Sequence, residues 1–268
     1  MHEILDHLPA GARVLDLGAR DGSFPVSDYP HLIVIRVDAK RPQVPNGREV
    51  QSDAVQLPFR AGTFDAAILN HCIEHFAELK PALQEVGRVM KRQAAVFVSV
   101  PDARTLTDRT YRKVFLNRGG HVNLFDSPDE LAKILSWYFG LPHVATRDLY
   151  SGFVFLNRKN ITGRAMRSQM RFGGLWEPVL LLASTALRSW DQRFQTRLSS
   201  YGWAMYFGNV GERVDPQPRR NVCIRCGAAH ASDWLDRLNL VRRKWILFAG
   251  YECPECKAGN IFLRDGSS

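Results

Sequence analysis

The chain has 268 residues, of which 45% are apolar and 24% are charged, a composition that excludes a largely disordered chain. This length predicts one α/β domain of about 200 residues and a small second domain. No apolar run reaches the ~20 residues that cross a bilayer, and the first residues lack a signal-peptide pattern, so we expect a cytoplasmic protein.

Two segments account for the net charge of +9. Five basic residues stand against one acid between Arg104 and His121, and eight stand against two acids between Asn157 and Arg197. Basic surfaces beside a site attract anionic partners, although charge runs are also common on solvated loops and helices. Both interpretations stay open at the level of the sequence.

Strands and helices alternate along most of the chain. A short helix is predicted at 3–8, a second at 79–90 and a third at 127–138, where Ser127 is the expected cap and Pro128 opens the first turn. Strands are predicted at 14–17, 32–37, 48–51, 64–69, 95–100, 151–156 and 201–207. This alternation predicts a Rossmann-like, doubly wound, mostly parallel sheet of seven strands with helices on both faces.

The segment at about 157–200 does not fit the sheet. Its apolar residues at 176, 179, 180, 183, 187, 190 and 194 follow helical spacing. With Arg188, Arg193 and Arg197 nearby, this helix could lie on an anionic membrane surface or over a lipid-linked substrate. The alternative is a helix packed onto the domain. The first interpretation would put the protein at the inner face of the membrane as a peripheral protein.

The first predicted strand ends in the turn Asp16-Leu17-Gly18-Ala19-Arg20-Asp21-Gly22. Ligands of open α/β sheets bind beyond the carboxyl ends of the strands, where such a turn lets the backbone come close. This turn resembles the first motif of the class I S-adenosylmethionine-dependent methyltransferases, Asp-x-Gly-x-Gly-x-Gly, and the resemblance extends over roughly residues 3 to 210. Arg20 replaces the middle glycine, so its side chain should point away from the cofactor or rest against the carboxylate of its methionine moiety.

Four further segments match that family in order. They are Asp38, Asp53-Ala54 with Leu57-Pro58-Phe59, the run 64–71 with Ile73-Glu74-His75, and the stretch 83–91 leading into 98–101. The resemblance implies that Asp38 accepts hydrogen bonds from the ribose, that Asp53-Ala54 borders the adenine, and that the fourth strand passes under the methionine end. The implied cofactor-binding residues are Asp16, Gly18, Gly22, Asp38, Asp53, Ala54 and Asn70.

The candidate catalytic residues are three histidines. Methyl transfer from a sulfonium depends mainly on alignment and exclusion of water, so little side-chain chemistry is compulsory. A hydroxyl acceptor would benefit from a base, and His71, His75 and His121 are the candidates because histidine titrates near neutrality. Each could instead pack or position the substrate.

Four cysteines near the end of the chain form two Cys-x-x-Cys turns, Cys223 with Cys226 and Cys253 with Cys256, which are separated by 26 residues. Two such turns can place four thiolates around one tetrahedral Zn²⁺, as in the zinc-ribbon family, which this segment resembles. Four sulfur ligands leave no open position, so the zinc should be structural. Cys72 lies outside both turns and is expected to be a buried free thiol.

The sequence therefore predicts a methyltransferase domain at 1–212, a linker at 213–220 and a zinc ribbon at 221–268. The leading functional hypothesis is methylation of a small or carrier-linked acceptor of glycan or lipid type. An RNA methyltransferase that uses the ribbon and the basic segments is the second hypothesis. A noncatalytic binding protein with a degenerate turn is the third. The ribbon could also contact a protein partner.

Overall fold

The computed structural model describes residues 1–19, 22–40, 48–114, 121–150, 153, 177–215, 219–244 and 248–264. The helices are α1 (His2–Leu5), α2 (Leu79–Val89), α3 (Leu106–Val114), α4 (Pro128–Phe139), α5 (Glu177–Phe194) and α6 (Ser232–Arg237), with 3-10 turns at Val26–Asp28 and Ile73–His75. The larger sheet contains β1 (Arg13–Leu17), β2 (Ile33–Asp38), β3 (Glu49–Gln51), β4 (Phe64–Asn70), β5 (Met90–Pro101), β6 (His143–Tyr150) and β7 (Ser200–Gly208). Smaller strands are β8 (Asn221–Val222), β9 (Ala229–His230), β10 (Val241–Lys244), β11 (Phe248–Glu252) and β12 (Gly259–Ile261).

The predicted seven-stranded, mostly parallel sheet is confirmed, with the order β3-β2-β1-β4-β5-β7-β6. One strand differs from the prediction. The strand expected at 151–156 lies outside the described residues except for Phe153, and β6 runs from His143 to Tyr150. Its buried positions are Ala145, Arg147 and Leu149, so an arginine interrupts the apolar alternation that identifies a strand.

The core of the larger sheet is built from apolar strands and two helices. β4 and β5 are buried over most of their length, as expected for central strands covered on both faces. Helix α4 begins as predicted, since the Ser127 hydroxyl accepts a hydrogen bond from Glu130 N at 3.3 Å. A Cβ at Gly87 of α2 would lie 2.1 Å from Tyr138 O, so glycine lets α2 and α4 pack closely.

The described chain divides into two compact units. Unit one contains 1–100, 122–146 and 203–216, and unit two contains 101–121, 147–202 and 217–268. Unit two includes an antiparallel sheet of β10, β11 and β12 and a hairpin of β8 with β9. Within the described ranges, no helix combines the length and the apolar character needed to span a bilayer.

Candidate cofactor and metal sites

The carboxyl ends of β2, β1 and β4 bring several predicted cofactor residues to one edge of the sheet. Leu17 pairs with Val37 in the parallel register of β1 and β2, and Gly18 N donates to Val37 O at 2.7 Å. The register of β1 with β4 pairs Asp16 with Ile68. Gly18, Asp38 and Asn70 therefore follow one another across three adjacent strands. A ligand bound at this edge would meet all three positions.

Gly18 is the point at which the chain leaves β1. Its φ of +68° is unfavourable for other residues, and a Cβ there would lie 2.4 Å from Cys72 Cβ. Gly22 also has a positive φ, +112°, and a Cβ there would lie 2.3 Å from a terminal nitrogen of Arg36. At both positions the backbone lies directly against a neighbouring side chain, so only glycine fits. Arg20, between the two glycines, lies outside the described residues.

Asp16 is fully buried on β1 beneath this turn. Burial raises the pKa of Asp16 to about 6, against lowering effects from the Ser23 hydrogen bonds and the Arg36 charge. Ser23 N donates to Asp16 Oδ2 at 3.0 Å, and Arg36 Nε lies 3.9 Å from the same oxygen. Asp16 Oδ1 has no hydrogen bond among the described residues. A buried carboxylate oxygen without a partner suits a cationic ligand group.

Asp38 is the last residue of β2, and Asp53 lies two residues beyond the end of the neighbouring strand β3. Asp38 Oδ1 accepts from Lys40 N at 2.9 Å, while Ser52 N donates to Asp38 O at 3.1 Å and brings the two segments together. Asp53 Oδ1 accepts from Val55 N at 3.2 Å, which is a local turn bond. Ala54 is buried in the hydrophobic core. These contacts leave the predicted ribose and adenine roles as predictions.

Asn70, His71 and Glu74 lie where β4 ends. Asn70 Oδ1 accepts from the Ser99 hydroxyl at 2.6 Å, so its side chain is tied to β5. His71 has a φ of +52°, an unusual conformation for a side-chain-bearing residue, and its Nδ1 lies 3.6 Å from Glu74 Oε1. Glu74 is 1% exposed, and its Oε2 has no hydrogen bond among the described residues. A histidine and a buried carboxylate therefore lie close together where β4 ends.

The other two histidines differ in their surroundings. His75 is exposed at the end of the 3-10 turn that follows β4. His121 belongs to unit two, where its Nδ1 lies 3.5 Å from Asp108 Oδ1 and its ring stacks on Tyr111. Asp108 also holds Arg112 at 2.6 Å. His121 thus lies near a buried carboxylate, and its catalytic role stays a prediction.

Several residues of the edge were not predicted from the sequence. Arg36 contacts Asp16 and donates to Phe24 O at 3.2 Å, and Ser99 holds Asn70. Asn123 Nδ2 donates to two backbone oxygens of the 3-10 turn after β4, fixing its conformation. The sequence did contain a signal for Arg36, since a charged residue inside an apolar strand is normally paired with an opposite charge.

The four cysteines of the second candidate site converge in unit two. Their sulfur atoms lie within 4.8 Å of one another, with Cys223 Sγ 3.5 Å from Cys256 Sγ and Cys226 Sγ 3.8 Å from Cys253 Sγ. Four sulfurs at about 2.3 Å from a tetrahedral zinc would be ~3.8 Å apart, so the arrangement fits this ion.

The two cysteine turns share one backbone conformation. Gly227 N donates to Cys223 O at 2.9 Å, and Lys257 N donates to Cys253 O at 2.9 Å. Gly227 and Lys257 have φ values of +71° and +60°. The two turns therefore hold their thiols in equivalent positions around the centre of the cluster, as expected for a metal-binding pair.

A seven-stranded, mostly parallel sheet with a glycine turn and acids at its carboxyl edge defines a Rossmann-like methyltransferase. Residues 1–144 match the family model described as "Methyltransferase domain", which is more than half of the chain. The chain therefore belongs to this methyltransferase family. The donor is S-adenosylmethionine, and the third, noncatalytic hypothesis is not favoured.

Solved structures support the fold. The YcgJ protein of Bacillus subtilis is similar with a TM-score of 0.51 and 19% identity, over 77% of this chain and 97% of that one. A SAM-dependent methyltransferase of Archaeoglobus fulgidus is similar with a TM-score of 0.50 and 17% identity, over 77% and 90% of the two chains. At these identities the similarity shows the fold alone.

A curated relative comes from Xenopus tropicalis. It is the tRNA (carboxymethyluridine(34)-5-O)-methyltransferase alkbh8, which is 33% identical over 106 residues. The match covers 37% of this chain and 17% of that protein's length. The chain thus corresponds to about a sixth of that relative.

The residues at the edge fit the donor. S-adenosylmethionine supplies an electrophilic methyl group on a sulfonium and carries a positively charged amino group. Asp16 offers a buried carboxylate oxygen that has no partner among the described residues, and Gly18 and Gly22 add no side chain of their own to the turn. Cys72 is not a competing nucleophile, because burial and then the carboxylates of Glu74, Asp16 and Asp38 raise the pKa of its thiol.

Proposed function

We propose that this methyltransferase acts on a carrier-linked acceptor, of glycan or lipid type, at the surface of an anionic membrane. Helix α5 carries the proposal, because four of its large apolar side chains are exposed. Val179 and Leu182 are each 49% exposed, Trp190 is 52% exposed and Phe194 is 54% exposed. The predicted helix is present, but packing onto the protein does not cover these side chains.

The buried side of α5 is more polar than its exposed side. Among the side chains of α5 that the structure describes, the buried ones are Leu180, Ser184 and Arg188, which follow a spacing of four. Ser184 donates back to Leu180 O at 2.7 Å. A helix that buries a serine and an arginine while exposing tryptophan and phenylalanine is arranged for an apolar environment outside the protein.

The charge around this surface favours a membrane as the occupant. Arg193 and Arg197 follow in the same segment and are exposed. Arg193 Cζ lies 5.6 Å from the centre of the Phe194 ring, and the Trp190 and Phe194 rings are 4.3 Å apart. Aromatic residues sit at the boundary between headgroups and acyl chains, and each basic residue there adds about 1 kcal/mol on an anionic surface.

The test is flotation of the full chain with vesicles of phosphatidylcholine, with and without phosphatidylglycerol. The wild type should float with the anionic vesicles, and the double variant Trp190→Ser, Phe194→Ser should lose most of this binding. Trp137→Ser is the matched control, since Trp137 is 73% exposed on α4. Equal flotation of all three proteins would contradict the proposal. A wild-type dimer that the double variant converts to a monomer would instead identify α5 as a contact between copies.

RNA is the second candidate acceptor, and the tRNA-modifying relative from Xenopus tropicalis favours it. The basic segments between Arg104 and His121 and between Asn157 and Arg197 could contact phosphates. Retention on immobilised tRNA should then fall steeply as salt rises. Methylation of tRNA in vitro that needs neither vesicles nor the α5 aromatics would favour RNA over the membrane acceptor.

We further propose that the four cysteines hold a structural Zn²⁺. The fit of the sulfur distances supports it, and so does Asn260, whose Nδ2 donates to Cys223 Sγ at 3.5 Å. All four ligands come from the chain, so the ion has no open position for a substrate. The ribbon then stabilises the second unit and leaves its outer surface available to a protein partner.

His71 is the proposed base or positioning residue for the acceptor. It directly follows Asn70 at the cofactor edge, and Glu74 lies on its Nδ1 side. His71→Asn should lower kcat for a hydroxyl acceptor while cofactor affinity stays unchanged, and Glu74→Gln should lower kcat less. A loss of cofactor affinity equal to the loss of kcat would contradict the assignment. His75 and His121 are the alternatives, and His31→Asn is the control, because His31 is exposed and is not a candidate.

A further inference from the structure

A cavity lies within unit two, and none of the four cysteines lines it. It has a volume of about 340 Å³. Its lining contains three arginines, two acids and a tyrosine, namely Arg188, Arg197, Arg220, Asp148, Asp191 and Tyr150. The charged groups leave a formal excess of one positive charge. A small polar cavity of this kind suits an anionic group.

Arg188 is the central cation of this cavity. It projects from the inward side of α5, and only 4% of it is exposed. Its terminal nitrogens donate to the backbone oxygens of Ile261, at 3.2 Å, and of Arg220. Its Cζ lies 4.1 Å from the centre of the Tyr150 ring. Among the described residues no carboxylate forms an ion pair with Arg188, and its Nε has no hydrogen bond. A buried cation without a counter-ion is costly unless a ligand supplies one.

The two acids of the cavity already have partners. Asp148 Oδ1 lies 2.9 Å from a terminal nitrogen of Arg197. Asp191 accepts hydrogen bonds from Leu198 N at 2.8 Å and from both the backbone and the hydroxyl of Ser199 at 2.6 Å. Neither carboxylate therefore neutralises Arg188, and its positive charge remains available to a ligand.

A hydroxyl group adds a donor at the cavity wall. Tyr150 lines the cavity, and its hydroxyl has no hydrogen bond among the described residues. Burial raises the pKa of Tyr150, so the hydroxyl stays protonated and can donate. Arg220, at the cavity rim, donates from Nη1 to Arg264 O at 2.9 Å and keeps its charge near the opening. Hydrogen-bond donors therefore dominate the cavity wall, which favours a ligand that accepts hydrogen bonds.

We propose that this cavity binds a phosphoryl group, with Arg188 as its counter-ion and Tyr150 and Arg220 as further donors. Guanidinium groups bind phosphate oxygens through charge-assisted hydrogen bonds, and here the cation is already held in place by backbone oxygens. The site goes beyond the proposed membrane docking, and its test requires neither vesicles nor methyl transfer. The phosphoryl group belongs to a free phosphate ester or to a lipid phosphate.

The experiment is calorimetric titration of the zinc-loaded full chain with inorganic phosphate, with acetate in a parallel arm. Phosphate should bind and acetate should bind more weakly. Arg188→Gln should lower phosphate affinity about tenfold or more, the effect of losing a charged hydrogen-bond donor. Arg193→Gln is the control, because Arg193 is exposed on the same helix and lies outside the cavity lining. Because Arg193 belongs to the proposed membrane surface, a second control is Arg237→Gln, which is exposed on α6 and outside the cavity lining, and its phosphate affinity should equal that of the wild type.

Two further variants keep the test decisive if Arg188→Gln disturbs folding. Tyr150→Phe keeps the ring beneath the guanidinium and removes only the hydroxyl. Arg220→Gln keeps the backbone oxygen that Arg188 contacts and removes only the charge. Each should weaken phosphate binding severalfold. Circular dichroism and zinc content establish that the variants are folded.

The arms also separate the two sources of the phosphoryl group. Glycerol phosphate represents a free ester, and short-chain phosphatidic acid below its critical micelle concentration represents a lipid phosphate. Tighter binding of either one, lost in Arg188→Gln, supports the site and identifies the source. No phosphate binding by the wild type, equal affinity for acetate, or equal losses in Arg188→Gln and Arg237→Gln would overturn it.

Discussion

The cofactor edge of unit one and helix α5 of unit two arrange polar and apolar groups in opposite ways. At the edge, Asp16 and Glu74 are buried, and each has a carboxylate oxygen with no partner among the described residues, near the glycines Gly18 and Gly22. On α5, Trp190 and Phe194 are exposed while Arg188 is buried. The first arrangement suits a small enclosed ligand with positive charge, and the second suits a large apolar surface. Under the proposed function, the first arrangement would face the methyl donor and the second would face the membrane that carries the acceptor.

Removal of the metal should produce the largest loss of structure. It should unfold part of unit two and leave unit one folded. Cys226→Ser is expected to abolish zinc binding and unfold the segment from 221 to 264, because structural zinc contributes on the order of 10 kcal/mol to such units. The seven-stranded sheet has its own core and should persist. Zinc content and hydrogen exchange check both statements. Cys72→Ser is the control, and it should keep one zinc per chain. Full protection of 221–264 in zinc-free Cys226→Ser would contradict the account.

Gly18→Ala sharpens the comparison on the donor side. Both a positive φ and an overlap with Cys72 oppose this substitution, and together they should lower the free energy of unfolding by about 2–5 kcal/mol. Gly62→Ala is the matched control, because Gly62 has a φ of +64° and nothing within 4 Å of a Cβ. It should cost only ~1 kcal/mol. Equal losses in denaturant titrations would mean that the turn does not pack on Cys72.

Asp38→Ala tests the ribose assignment. The loss of a carboxylate that accepts from ribose hydroxyls should weaken S-adenosylmethionine binding by about 1.5–3 kcal/mol with the fold intact. Asp28→Ala, at an exposed position before β2, should leave the affinity unchanged. Calorimetric titration of both variants decides the matter. Unchanged affinity in Asp38→Ala would remove this residue from the site.

Asp16 should give the donor side a characteristic pH dependence. Its pKa of about 6 lies above the ordinary 3.8 because the carboxyl is buried. Cofactor affinity should therefore fall by up to about tenfold per pH unit below pH 6, as the carboxylate that faces the positive donor is protonated. Asp16→Asn should bind weakly with no such pH dependence. The titrations are made at about pH 5 and about pH 7, roughly one unit on either side of this pKa. Equal wild-type affinities at the two pH values would contradict the role of Asp16.

The same pKa predicts an opposite effect on the protein without cofactor. The neutral carboxyl is favoured in the folded state, so this contribution to stability is complete below the unfolded value of 3.8 and is lost as pH rises through about 6. Above pH 6 the buried charge costs up to about 3 kcal/mol. Asp16→Asn should thus be more stable than the wild type at pH 7.5 in the absence of cofactor, measured by denaturant titration at about that pH.

The donor side could be predicted from the sequence because strand periodicity and parallel register act over short segments. Once β1, β2 and β4 are identified, their ends must meet at one edge, which brings Gly18, Asp38 and Asn70 together. The candidate zinc site could be predicted for a similar reason, because each Cys-x-x-Cys pair is recognised within four residues of sequence. Contacts across the sheet, such as Arg36 with Asp16, depend on side-chain packing that periodicity does not contain.

The orientation of α5 could not be predicted for a related physical reason. Helical spacing identifies an apolar face, but it does not say whether that face meets the protein or the surroundings. The inward side is set by Ser184 and Arg188, and Arg188 contacts Ile261 O and Arg220 O, which are distant in sequence. β6 was missed because buried Arg147 breaks its apolar alternation, and this arginine donates to Gly227 O at 2.9 Å.

Transfer of a radiolabelled methyl group tests the division into a donor side and a membrane acceptor side most directly. The full zinc-loaded chain is incubated with labelled S-adenosylmethionine and a cell extract, and the label is counted in the lipid-extractable and RNA fractions. We expect label in the lipid-extractable fraction, reduced by Trp190→Ser with Phe194→Ser and unchanged by Trp137→Ser. Label confined to RNA, and insensitive to the α5 variant, would contradict the account.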